Sequence, residues 1–195
     1  VATVETAQKN AAKQPGNAEM TGNILYQRAM IYSDRLGQPA KAVADLRRYL
    51  ELSPGNPNAQ NALGYTLLTL PTPQIEEAFP LISAAFEQLP EEPAVNDSLG
   101  WAYFLKGDPE AALPYLQYAF KEHPEAEVAA HLGEVLWTLG RKDEARDTFK
   151  QGRAAGGNTR VLNDTLRRLG ISDKPAAETG KSKPAPAPAK KKKAV

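Results

Sequence analysis

Three glycines and three prolines recur along this chain at nearly constant spacing, and that periodicity restricts the fold more than any other feature. Gly64, Gly100 and Gly133 are 36 and 33 residues apart, and Pro54, Pro90 and Pro124 are 36 and 34 apart. A repeat of this length is one supersecondary unit that cannot bury its own apolar face and must stack on neighbours. The clearest unit runs from Leu99 to Phe120. Asn96, Leu99, Gly100 and Tyr103 recur at i, i+3, i+4 and i+7, Gly107-Asp108-Pro109 turns the chain, and Ala112, Leu116 and Ala119 recur before His123-Pro124. The spacing predicts two helices with small residues where they approach and bulky ones where they interlock.

The same pattern returns on both sides. Residues 1–14 are rich in Ala, Gln and Lys, with Val4, Ala7, Ala11 and Ala12 at helical spacing, and Pro15-Gly16-Asn17 reads as a break. A first pair is expected over Ile24–Leu36 and Ala40–Leu52, turned by Gly37-Gln38-Pro39. A second spans Ala59–Leu70 and Glu76–Leu89, with a longer connection at Pro71-Thr72-Pro73-Gln74-Ile75. Pro80 inside its second helix predicts a late start or a kink. After the central pair, Glu127–Leu139 and Asp143–Arg153 form a fourth, and Val161–Leu169 is a short amphipathic helix suited to cap it. Asp108 and Asp143 are expected N-caps, and Pro109 an N1 proline.

Composition sets further bounds. The formal net charge is +1, but residues 174–195 hold seven Lys and one Glu, which leaves residues 1–173 at −5. A body of that sign has no general attraction for nucleic acid. The tail, with Pro184-Ala185-Pro186-Ala187-Pro188 and Lys190–Lys193, is predicted to be disordered. It reads either as a solubilising end or as a site for nucleic acid, anionic lipid or an acidic wall polymer. There is no cysteine, which excludes disulfides and thiolate chemistry. No apolar run is long enough to span a bilayer. The chain opens at Val1 without Met, so a removed leader or an excised fragment is expected.

The small-residue, aromatic and proline positions at a period near 34 resemble the tetratricopeptide repeat family in four units, 23–56, 57–92, 93–125 and 126–156, followed by a capping helix over 157–171 and the tail over 172–195. Residues 1–22 would be a partial helix of a preceding repeat and a linker. The first unit has Met30 where glycine is expected, so its helices should pack slightly further apart. The resemblance implies an all-α solenoid, a right-handed superhelix of antiparallel helix pairs with a concave face that holds peptides or partner domains. The runs Asn61-Ala62-Leu63-Gly64-Tyr65, Asp97-Ser98-Leu99-Gly100-Trp101 and His131-Leu132-Gly133-Glu134 are also similar to the C-terminal repeats of bacterial outer-membrane lipoproteins that serve as adaptors for a periplasmic carboxyl-terminal processing protease. That likeness implies a periplasmic place, with membrane attachment only through a lipidated N-terminus not in this sequence; a cytoplasmic place is the alternative.

In the family, first-helix positions 2, 5, 9, 12 and 13 line the concave face. Carried over, these are Ile24, Gln27, Ile31, Asp34 and Arg35; Asn58, Asn61, Tyr65, Leu68 and Thr69; Ala94, Asp97, Trp101, Phe104 and Leu105; Glu127, Ala130, Glu134, Trp137 and Thr138. The expected groove is therefore Gln27, Arg35, Asn61, Tyr65, Asp97, Trp101, Phe104, Glu134 and Trp137, aromatic anchors ringed by polar groups. Trp101 and Trp137 have a second reading, as packing between adjacent first helices. Asp97 and Glu134 disfavour a clamp for a terminal carboxylate and suit a basic or neutral partner. His123 and His131 make no zinc pair, and no nucleophile stands in a catalytic context, so no enzyme activity, metal or cofactor is expected. The reading is a non-enzymatic interaction module, an envelope adaptor or scaffold. Self-association through the N-terminal repeat edge and an accessory domain of a larger enzyme are the alternatives.

Overall fold

The computed structural model describes residues 15–156 and 159–171, with side chains from Ala18 onward. The expected helix over 1–14 and the tail over 172–195 lie outside the described residues. Nine α-helices stand among the described residues. They are α1 (Pro15–Met30), α2 (Pro39–Leu52), α3 (Pro57–Leu68), α4 (Ile75–Gln88), α5 (Pro93–Leu105), α6 (Pro109–Glu122), α7 (Ala126–Thr138), α8 (Lys142–Ala155) and α9 (Arg160–Arg168). A π-helical segment, Ile31–Arg35, extends α1. Helices pack first with their hairpin partner, then with the pair that follows, as α1–α2, α3–α4, α5–α6 and α7–α8. α9 lies chiefly against α7. The arrangement is an all-α solenoid.

Local chemistry sets the starts of these helices. Proline stands at the first position of α2, α3, α5 and α6, where its fixed φ suits a helix and its missing N–H costs nothing. The Asn56 and Asp108 side chains accept from the Ala59 and Ala111 amides at 2.9 Å, so Asp108 is an N-cap. Asp143 is not: α8 begins one residue earlier, with Arg141 at the cap, and Asp143 sits in the first turn facing Arg146 at 2.9 Å. Pro15-Gly16-Asn17 is not a break but the first turn of α1, so the first helix begins nine residues before Ile24 and runs through what reads as a linker. In the first turn proline opens a helix rather than ending it, because the N–H it lacks would have no partner there.

Pro80 corrects a second expectation. α4 starts at Ile75 and continues unbroken to Gln88, with Pro80 as its sixth residue. The carbonyl left without its donor belongs to exposed Glu76, where water can serve it. Pro114 occupies the same place in α6.

Within each of the three later pairs, close approach is set by a residue without a Cβ. A Cβ on Gly100 would stand 2.6 Å from Leu116 Cγ and 3.0 Å from the Ala112 carbonyl; one on Gly133 would meet the Phe149 ring at 2.1 Å. In the first pair the corresponding residue is Ala29, fully buried beside Ala42 and Leu46, and not the half-buried Met30. The chain thus gains one residue between Ala29 and the turn. The cap bonds count it directly. Asp108 N–H donates to the Tyr103 carbonyl and Arg141 N–H to the Leu136 carbonyl, both five residues back, whereas Gln38 N–H reaches six back to Tyr32 at 2.8 Å. The π segment absorbs the extra residue, closed by Leu36 N–H on the Ile31 carbonyl at 3.1 Å. Leu36 is consequently turned out and 52% exposed. In the second pair the surplus is two residues, since Gln74 N–H bonds the Leu67 carbonyl.

With that register, Ile24, Gln27, Arg28 and Ile31 of α1 match Val95, Ser98, Leu99 and Ala102 of α5, and Val128, His131, Leu132 and Val135 of α7. The later sets are buried under the preceding pair; the α1 set is open, with Ile24 58% and Ile31 47% exposed.

Candidate binding groove

First helices α3, α5 and α7 carry a row of rings across their shared face. Phe104 stands 5.1 Å from Trp101, Trp101 stacks on His131 at 4.2 Å and 19°, and His131 meets Tyr65 edge-on at 5.9 Å. The imidazole is thus held between a tryptophan and a tyrosine, each one repeat or more away in sequence. Its Nδ1 donates to both carboxylate oxygens of Asp97 at 3.0 Å, and both residues are buried. Burial works against a charged imidazole, but the Asp97 carboxylate outweighs it, helped by Glu127 and Glu134, and holds His131 above its ordinary value. The Tyr65 hydroxyl donates to Glu127 Oε1. Burial, with the Glu127 and Asp97 charges, pushes that phenol well above its usual range.

Beside this row lies a cavity of about 240 Å³ walled by α1, α3, α5 and α7. Asn61, Tyr65 and Asp97, all expected in the groove, line it. So do Tyr26, Met30, Ser33, Asp34, Glu125 and Glu127. The Asn61 Oδ1 is buried in its wall without a donor.

The other expected residues are distributed differently. Gln27 is on the outer face of α1, lining a separate shallow depression with Met20, Ile24 and Ile31, and exposed Arg35 does not line the cavity. The cause is the extra residue: counting from Ala29 instead of Met30 moves the concave positions of α1 to Asn23, Tyr26, Met30, Ser33 and Asp34. Trp101 and Phe104 belong to the ring row, half-buried, and Trp101 fills the space between α5 and α7. Glu134 is 4% exposed and its charge is already taken, since Arg168 of α9 grips both its oxygens, one of them at 2.6 Å. Trp137 packs under cations of α8, with Lys142 Nζ 5.1 Å and Arg146 5.3 Å from its ring. His131 is the residue that sequence reasoning left aside.

The tetratricopeptide repeat pattern matches residues 22–56 and 98–158. The chain carries tetratricopeptide repeats. The TPR repeat-containing protein PA4667 of Pseudomonas aeruginosa is 39% identical over 153 residues, which is 78% of this chain and 26% of that protein. The chain therefore spans about a quarter of that relative's length. Bacteriophage adsorption protein A of Escherichia coli is 39% identical over 85 residues, 44% of this chain and 8% of that protein. Among solved structures, the tetratricopeptide protein TTC0263 of Thermus thermophilus matches with a TM-score of 0.60 at 19% identity, covering 85% of this chain and 86% of that one. A MamA mutant matches at 0.55 and 20% identity, over 78% of this chain and 90% of that one. These structural likenesses establish the fold. Stacked tetratricopeptide pairs present protein-binding surfaces, and no helix among the described residues is long and apolar enough to cross a membrane.

Proposed function

We propose that this chain is a non-enzymatic adaptor whose tetratricopeptide groove holds a segment of a partner protein. The single observation that carries the reading is the ring row Tyr65–His131–Trp101–Phe104 beside an acidic cavity. Aromatic rings next to polar groups with hydrogen-bonding capacity to spare are the composition of interface anchors. The partner is an envelope enzyme, a processing protease or a cell-wall enzyme, and the chain works in the periplasm beside the outer membrane. Support comes from the likeness to lipoprotein adaptors and from a relative named for bacteriophage adsorption, an event at the cell surface. The test is recovery of partners from an envelope extract with the wild-type chain and with Trp101→Ala/Tyr65→Ala. The double variant should keep its helical circular dichroism and lose the specific partner; equal recovery of every partner overturns the reading.

A second reading has its own observation. The outer face of α1 exposes Ile24 and Ile31 at positions that every later pair buries, with exposed Met20 beside them. On this reading a second copy of the chain covers that edge. Sedimentation of the wild type should show a dimer that Ile24→Lys/Ile31→Lys dissociates, and a monomer at every concentration overturns it.

A further inference from the structure

The cavity between α1, α3, α5 and α7 is unusually one-sided in charge. Asp34, Asp97, Glu125 and Glu127 line it, and no lysine or arginine does. His131 answers Asp97, and exposed His123 answers Glu125 at the rim at 2.6 Å. No lysine or arginine in the wall pairs with Asp34 or Glu127, although Arg35, next in the chain, acts on Asp34, and His131 behind the wall feels Glu127. Glu127 accepts from the Tyr65 hydroxyl through one oxygen, which leaves acceptor capacity on the carboxylate. Burial raises the Asp34 carboxyl, and the Ser33 hydrogen bond and the Arg35 charge offset that only in part. Asn61 adds a buried acceptor oxygen that has no donor. Two tyrosine rings, Tyr26 and Tyr65, complete the wall.

We propose that this cavity receives the ammonium or guanidinium end of a Lys or Arg side chain carried by the bound partner segment; the proposal rests on the groove reading above. Volume, donors and charge all agree with that occupant. About 240 Å³ is below the ~300–1,000 Å³ of pockets that hold drug-sized ligands, and suits a single side chain. A guanidinium brings five N–H donors and no acceptor, the complement of two carboxylates and the Asn61 oxygen. The tyrosine faces add attraction for a cation and none for an anion. A metal ion is a poorer fit, because no group of three or more His, Asp or Glu among the described residues is placed to ligate one. The groove thus has the opposite sign from a terminal-carboxylate clamp.

The test begins with selection of 12-residue peptides from a randomised displayed library on the full chain. Binding of the selected peptides is then measured by fluorescence anisotropy. Selected sequences should share one Lys or Arg, and replacing it by citrulline or norleucine should weaken binding at least tenfold. Asp34→Asn/Glu127→Gln should weaken the Lys or Arg peptide by the same factor and leave the citrulline peptide unchanged. Glu127→Gln keeps an acceptor for Tyr65, and circular dichroism checks that the variant folds. If the selected peptides lose affinity on Trp101→Ala yet share no basic residue, the cation site is overturned while the groove stands. If they bind Trp101→Ala/Tyr65→Ala as well as wild type, the groove fails too. Replacing Lys190–Lys193 with Ala should leave affinities unchanged. A rise would identify the chain's own lysines as the occupants and overturn assignment to a partner.

Discussion

His131 on α7 and Asp97 on α5 lie 34 residues apart in the chain and 3.0 Å apart in space. Glu134 and Arg168 are also 34 apart and joined. In a stacked array, one period along the sequence is one step sideways, so opposite charges one repeat apart are the array's counterpart of an i,i+4 pair on a single helix.

The first pair makes stability depend on pH. His131 is held above its unfolded value of about 6.5, so the pair's contribution is complete below that pH and is lost as pH rises through the folded value. The melting temperature should therefore fall across that rise, apart from other groups' contributions, and Asp97→Asn should flatten the His131 component. Thermal unfolding by circular dichroism of both chains reads this directly. An unchanged difference between them at every pH overturns it.

The second pair pins α9. Arg168→Ala leaves the Glu134 carboxylate buried without its cation, at a cost of about 1–3 kcal/mol, reduced by the half-exposed Arg168 end. Glu134→Gln added to Arg168→Ala should recover part of the loss. Hydrogen exchange should show α9 opening in the single variant before the rest of the array. Uniform opening throughout would contradict this.

Gly100→Ala sets helix propensity against packing. The substitution gains about 0.8–1.0 kcal/mol in an exposed helix, but here the new Cβ meets Leu116 at 2.6 Å. Overpacking costs about 1–3 kcal/mol, so a net loss of stability is expected. Gly55, with nothing within 4 Å of a Cβ, should tolerate Ala with a change within about 0.5 kcal/mol. Denaturant midpoints for the two variants give the comparison.

Replacing Trp101 should be felt by His131. Trp101→Leu removes the ring stacked on the imidazole at 4.2 Å. The indole face favours the charged ring by about 0.5–2 kcal/mol. The His131 titration, followed by NMR, should shift downward in the variant, and an unmoved titration would show that the stack has no preference between the two forms.

Much of the fold was legible because glycine, alanine and proline recur where helices touch or end. Gly64, Gly100 and Gly133 could be aligned by eye, and each abuts the large side chain one helix later. The first pair was misread by one residue because its small residue is Ala29, next to a Met30 that matches the period better. That slip carried Gln27 and Arg35 into the expected groove and kept Tyr26 and Ser33 out of it. His131 was passed over for a different reason. Its meaning lies in Asp97 and Trp101, which are not its sequence neighbours, and only the period connects them. Glu134 looked available because Arg168 stands in an amphipathic capping helix, off the apolar face by which that helix was expected to pack.

The π segment has a consequence for the geometry of growth in this array. The surplus length of the first two pairs is taken up at one rim, by the π segment that extends α1 and by the connection between α3 and α4. In the second pair the wall residues Asn61 and Tyr65 are laid down before that rim is reached, so residues can be added or trimmed there as at the selvedge of a cloth, without pulling a thread through the weave. A tag or reporter of a few residues placed between Leu70 and Gln74 should therefore leave Tyr65, Asp97 and His131 where they are.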